Sequence, residues 1–178
     1  MNIQAIRHGE AWHNVLYGKL GKDAFGEFQD TTLTARGMAQ AQMAKRDRPD
    51  LILVSPLMRT LQTAQIMFPN QHMIALDTLM EYPQSEHLSN KRSPKTLLQQ
   101  LYPNVDFRFI SEKPTWPVVD SDEHLQNQIN TMTSFLKQRN ERNITLVTHS
   151  SWIKFAKDGE VGDEMEELEH CLPYKLIL

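Results

Sequence analysis

Arg7 and His8 stand side by side after the first apolar run, Asn2 to Ile6, and Gly9 and Glu10 follow them. A guanidinium is a permanent cation that neutralises a phosphate in bidentate fashion, and a neutral imidazole beside it can attack phosphorus. Gly9 is expected to let the backbone turn sharply just beyond the pair. A second guanidinium, Arg59, comes shortly after another apolar run, Leu51 to Val54. A second histidine, His149, follows a third run, Ile144 to Val147. Phosphoryl transfer asks a protein mainly for positioning and charge stabilisation, and a cluster of basic side chains is the equipment it needs. Each piece alone is weak, because Arg-His-Gly also fits an exposed loop. The meeting of these groups at several strand ends is what carries the reading.

The elements that would position them follow from the apolar pattern. Leu51-Ile52-Leu53-Val54 is wholly apolar, as a strand covered on both faces should be. Asn2 to Ile6, Met73 to Leu76 and Ile144 to Val147 read as further strands, and Tyr174 to Leu178 as an edge strand. Helices are expected from Thr34 to about Arg46, with Thr34 as N-cap and Leu33 and Met38 spaced for a hydrophobic staple. A second is expected from Ser55-Pro56 to Phe68, with the serine as cap and the proline at the first helical position. Others are expected from Ser93-Pro94 through Leu101, from Asp122 to Arg139, and from Trp152 to Lys157. Residues 11 to 32 show no sustained period and read as a long functional loop, and residues 103 to 120, rich in proline, also read as loop. Strands alternating with helices at this spacing predict an α/β three-layer sandwich, with a mainly parallel central sheet and helices on both faces. In such a sheet, ligands sit in the crevice beyond the carboxyl ends of the strands, where Arg7-His8, Arg59 and His149 would lie.

Composition narrows the function classes. The chain has 178 residues, which predicts a single domain over 1–178. A net charge of −3 gives no basic signature and argues against a nucleic-acid partner. No apolar run approaches a membrane span, and no signal peptide is expected, since the sequence given runs directly into the first strand. Cys171 is the only cysteine, which fits a reducing compartment, so cytosol or nucleus is expected. His8 and His13 are five apart, which does not match two ligands on one helical face, so no metal site and no cofactor are expected. Residues 158 to 169 are strongly acidic and read as a solvated face rather than a metal site.

Longer motifs resemble the histidine phosphatase superfamily, in its phosphoglycerate mutase-like branch. The matching pieces are Arg7-His8-Gly9-Glu10 with Asn14, Leu33-Thr34-x-x-Gly37-x-x-Gln40-Ala41, and Val54-Ser55-Pro56-Leu57-x-Arg59-Thr60-x-Gln62-Thr63-Ala64. Leu79-x-Glu81 and Val147-Thr148-His149 complete the set in the family's order. The His13-Asn14 variant, with Tyr102-Pro103-x-Val105-Asp106-Phe107 later, looks like a subgroup of small phosphatase-like members. The resemblance implies that His8 is the nucleophile and forms a phosphohistidine, with its other ring nitrogen donating to backbone. It implies that Arg7, Arg59 and His149 surround the phosphoryl oxygens and that Asn14 adds a neutral donor. Glu81 matches the family's proton donor, with Glu10 and Glu86 as alternatives. Ser150-Ser151 depart from the small, glycine-containing residues that commonly follow the second histidine. Trp12, Tyr17, Tyr82, His87, Lys91, Arg92 and Trp116 are candidates for the substrate wall.

The expected activity is therefore a metal-independent phosphomonoesterase acting on a small phosphorylated substrate or a phosphoprotein. A phosphomutase of the same family is the nearest alternative, and a phosphate-binding module without turnover is another. Substrate identity and oligomeric state are not readable from these residues.

Overall fold

In a computed structural model, residues 1–46, 48–83, 87–113, 121–162 and 167–178 are described. They contain six strands: β1 (Asn2–Arg7), β2 (Leu51–Val54), β3 (Met73–Ala75), β4 (Val105–Asp106), β5 (Asn143–Thr148) and β6 (Pro173–Leu176). The helices are α1 (Trp12–Leu20), α2 (Ala24–Glu27), α3 (Ala35–Met43), α4 (Met58–Met67), α5 (Lys95–Leu101), α6 (Asp122–Lys137) and α7 (Ser150–Asp158). The strands form one sheet in the order β4-β3-β2-β5-β1-β6. All neighbours are parallel except the edge pair β1 and β6. The expected mainly parallel α/β architecture is what forms.

The apolar strands alternate between two cores. Ile3, Ala5, Leu51, Leu53, Ile144 and Leu146 face one core, which Leu125 and Met132 of α6 and Trp152 of α7 complete. Ile6, Ile52, Val54 and Val147 face the other, with Ala41 of α3, Leu61 and Ala64 of α4 and Leu98 of α5. The period of two along each strand thus places helices on both faces of the sheet. Among the described residues, no helix is long and apolar enough to cross a membrane.

Several expectations fail. Residues 11 to 32 are not a long loop, since they form α1, a short 3-10 turn over Gly21–Asp23, and α2. Only His13 of α1 is buried, so the helix leaves no apolar stripe in the sequence. The cap of α4 is Leu57 rather than Ser55. The Ser55 hydroxyl instead hydrogen-bonds His149 Nε2 at 2.8 Å, and the N–H of Met58 donates to Asp30 Oδ1 at 2.8 Å. At α3 the Thr34 cap forms as expected, its hydroxyl accepting from the Gly37 N–H at 3.0 Å. Met38, the expected partner of Leu33 in a staple, is exposed while Leu33 is buried. Residues 103–113 include the short strand β4, and 114–120, with Trp116, lie outside the described residues.

Candidate active site

Parallel register brings the basic residues to one edge. Arg7, the last residue of β1, pairs with Thr148, the last of β5, so His8 and His149 follow at adjacent strand ends. Val54 of β2 pairs with Val147 of β5, and the chain then enters α4 with Arg59 in its first turn. Arg7, His8, Arg59 and His149 are all buried. Glu81 comes from the segment just after a 3-10 turn over Asp77–Leu79, itself reached directly from β3.

The loop after His8 is held by motif residues. A Cβ on Gly9 would stand 2.5 Å from the Gly37 carbonyl oxygen, and one on Gly37 would stand 2.0 Å from that of Glu10. Gly9 is not among the residues with positive φ. Both glycines are therefore required for backbone contact between the loop and the start of α3. The N–H of Gly9 donates to Thr63 Oγ1 at 3.0 Å, and that of Glu10 donates to Gln40 Oε1 at 2.8 Å.

The same scaffolding orients His8. Its Nδ1 lies 2.7 Å from the Gly9 carbonyl oxygen, which can only accept, so Nδ1 carries the proton and Nε2 keeps its lone pair. That lone pair accepts the Arg59 Nε–H at 3.3 Å. Burial pushes the His8 pKa well below the usual histidine value, and Arg59, His149, Arg7 and His170 push it the same way. The ring is neutral at neutral pH, as a nucleophile must be. The His149 ring centroid is 5.2 Å from that of His8. Burial and then Arg59 lower the His149 pKa well below the usual value as well. Arg59 is itself fixed by NH1 to the Ser89 carbonyl at 2.7 Å and NH2 to Asn90 Oδ1 at 2.8 Å. Burial lowers its pKa to about 10, so it keeps its charge at neutral pH.

Glu81 Oε2 lies 3.7 Å from His149 Nδ1. Burial raises the Glu81 pKa to about 7, with Glu167 adding to the rise and Arg59, the Tyr82 N–H and Arg7 opposing it. A carboxyl with that pKa can give a proton and take one back near neutrality. Among the described residues, His149 Nδ1 and Arg7 Nε are buried without a hydrogen-bond partner. Buried polar groups are normally paired, and these two are the polar atoms a bound anion would satisfy. Ligand atoms of His8, Glu81 and His149 lie within 4.8 Å of one another, so the trio has the donors to hold a metal ion. The buried guanidiniums of Arg7 and Arg59 beside them disfavour a divalent cation and favour an anion.

A family model, histidine phosphatase superfamily (branch 1), matches residues 3–171. The chain belongs to the histidine phosphatase superfamily. It is 28% identical over 177 residues to phosphomutase-like protein 3 of Candida albicans, with 83% of this chain and 56% of that protein covered. The chain thus spans little more than half the length of that relative. Its structure is similar to the ecdysone phosphate phosphatase of Bombyx mori solved with tungstate (TM-score 0.67, 18% identity, 98% of this chain and 88% of that one). It is also similar to the phosphoserine phosphatase of Entamoeba histolytica solved with 3-phosphoglyceric acid (TM-score 0.55, 24% identity, 86% and 76% covered). At these identities the structural likeness establishes the fold.

In this superfamily member the other expected residues divide clearly. Asn14 lines the cavity, and its Oδ1 accepts from the Ala11 N–H at 2.9 Å, which leaves the amide nitrogen as the end able to donate. Glu10 is engaged elsewhere, accepting the Thr34 hydroxyl at 2.7 Å at the start of α3. Glu86 lies outside the described residues. Tyr17, Tyr82 and His87 line the cavity. Trp12 is exposed, Lys91 is not among the lining residues, and the fully buried Arg92 ties Asp77 to Ser111.

Sequence reasoning missed a strap from the C-terminal segment. Arg7 NH2 pairs with the Glu167 carboxylate, and NH1 donates to the Leu168 carbonyl. His170 Nδ1 donates to the His8 carbonyl at 2.7 Å, and the N–H of Cys171 donates to the Arg7 carbonyl at 2.9 Å. Ser150, in the position of departure from the family pattern, accepts the Leu168 N–H at 2.9 Å. Glu167 belongs to the acidic stretch read as a solvated face. It is exposed and lies in a loop, as that reading has it, and its ion pair with Arg7 is what the reading did not foresee; 163–166 lie outside the described residues.

Proposed function

We propose that the chain is a metal-independent phosphomonoesterase that works through a phosphohistidine on His8. The observation that carries the reading is the orientation of His8, with Nδ1 committed to the Gly9 carbonyl and a neutral Nε2 turned toward Arg59. Nε2 attacks phosphorus while Arg7, Arg59 and His149 stabilise the charge on the phosphoryl oxygens, with the Asn14 amide as a neutral donor. The P–O bond to the leaving group breaks, and Glu81 gives its proton to the departing alkoxide. The Glu81 carboxylate then takes a proton from water, which attacks the phosphohistidine and releases inorganic phosphate with His8 restored. The substrate is a small phosphate ester or a phosphoprotein, and the catalytic unit is one domain over 1–178.

The cavity at these residues measures about 600 Å³, within the range that accommodates whole drug-sized ligands rather than a phosphate alone. Such room admits water to the intermediate and supports hydrolysis. The phosphomutase-like relative supports transfer within a substrate as the second reading. Turnover of a panel of phosphate esters with EDTA present distinguishes them. Stoichiometric release of inorganic phosphate, unaffected by EDTA, is expected. An isomerised ester without phosphate release would establish the mutase, and loss of activity on chelation, restored by a metal, would overturn metal independence.

A further inference from the structure

We infer that the wall of the cavity formed by His13, Tyr17, Phe25 and His87 is a subsite for a planar, ring-bearing leaving group. The inference rests on the phosphoester reading of the adjoining site and names the class of ester it takes.

The wall begins beside the nucleophile. The His13 ring lies 5.9 Å from that of His8, and its Nδ1 hydrogen-bonds the Thr31 hydroxyl at 2.6 Å. Phe25 of α2 follows, 5.8 Å from His13 at an interplanar angle of 41°. Beyond it, Phe25 and His87 are stacked at 4.4 Å and 16°, and Tyr17 of α1 packs at 5.6 Å from Phe25. All four rings line the cavity that contains His8 and Glu81, and Tyr82, Pro83 and Val161 line it too. The rings thus form a continuous path from the reacting atom outward.

This cluster is not part of the folding core. Neither apolar core includes Tyr17 or Phe25, and Tyr17, Phe25 and His87 stay half-buried. Elements α1 and α2, which contribute no residue to either apolar core, carry three of the four rings. Aromatic rings stack with one another in offset geometry and remove a large apolar area from water. A ring entering the cavity completes such a stack, whereas a short polar alcohol leaves the wall facing water.

The test separates binding from turnover. Naphthylmethylphosphonate and methylphosphonate carry the same phosphoryl mimic and cannot be hydrolysed, so their affinities are measured by calorimetry on the full chain. The naphthyl compound is expected to bind at least about tenfold tighter, as stacking plus burial of the ring implies. That ratio should fall toward one in Phe25→Ala and in Tyr17→Ala. Equal affinities in the unaltered chain overturn the inference, and so does a ratio that survives both substitutions. Turnover of naphthylmethyl phosphate against ethyl phosphate is the second arm. Both leave as alkoxides, so a preference between them does not arise from leaving-group acidity. Discrimination among phosphonates without turnover of either ester would sink the phosphatase reading and leave the ring subsite standing.

Discussion

Glu81 has two tasks in one turnover, first as an acid and then as a base. Its burial supplies the means, because a carboxyl at about 7 is present in both forms near neutrality. The sign of the resulting pH dependence follows directly. As pH rises through about 7 the proton donor is lost, so kcat/KM for an alkoxide ester should fall. His8 sets the other limb, far below the usual histidine range, because only protonation of its lowered-pKa ring removes the nucleophile. Glu81→Gln should slow an alkyl phosphate by roughly 10²–10³-fold more than p-nitrophenyl phosphate, whose leaving group departs without a proton. Steady-state kinetics on the two substrates checks this, and equal losses would assign the proton to another group. At this scale the gathering of His8, Arg7, Arg59 and His149 was legible in the sequence because each follows or ends an apolar run, whereas Glu81 was legible only through the family resemblance. Of the ring wall, Tyr17 and His87 were candidates but their assembly was not legible, because Phe25 meets His87 only after a chain separation that no local spacing reveals.

The elements explain both what was readable and what was not. Wholly apolar β2 and the alternation in β1 and β5 announce a covered sheet, since each strand must serve two cores. Helix α1 does not announce itself, because it buries only His13. The cap of α4 was misplaced for a related reason: its first N–H, that of Met58, is served by Asp30 from a distant segment, while Ser55 turns to His149. The strap over Glu167 to Cys171 is a third long-range device, which reaches back across most of the chain to Arg7 and His8. It places a half-exposed carboxylate on a guanidinium that the substrate phosphoryl must also use. Repulsion between Glu167 and a bound dianion should weaken that anion. Glu167→Gln is therefore expected to tighten vanadate inhibition by about three- to tenfold, a gain limited by solvent screening at an exposed carboxylate. Weaker inhibition in this variant would mean that Glu167 chiefly holds Arg7 in place.

The whole molecule carries a net charge of −3, yet gathers Arg7, Arg59 and several neutral histidines at one edge of its sheet. Local concentration of positive charge is how a chain of net negative charge can still build a phosphate site. The parallel order β2-β5-β1 is what makes the concentration possible, because it sets three strand ends side by side. The account as a whole depends on which atom accepts the phosphoryl group. His8 and His149 are the two candidates, with ring centroids 5.2 Å apart. Only His8 has its Nδ1 committed to a backbone carbonyl, whereas His149 has its Nε2 committed to Ser55. Rapid quench with a radiolabelled phosphate ester, followed by peptide mapping, locates the bond. The label should be acid-labile, base-stable and on the peptide containing His8. It should vanish in His8→Ala and persist in His149→Ala, where turnover falls by roughly 10²–10³-fold through loss of transition-state stabilisation. A label on His149, or a His8→Ala variant that still becomes labelled, would contradict the assignment of the nucleophile.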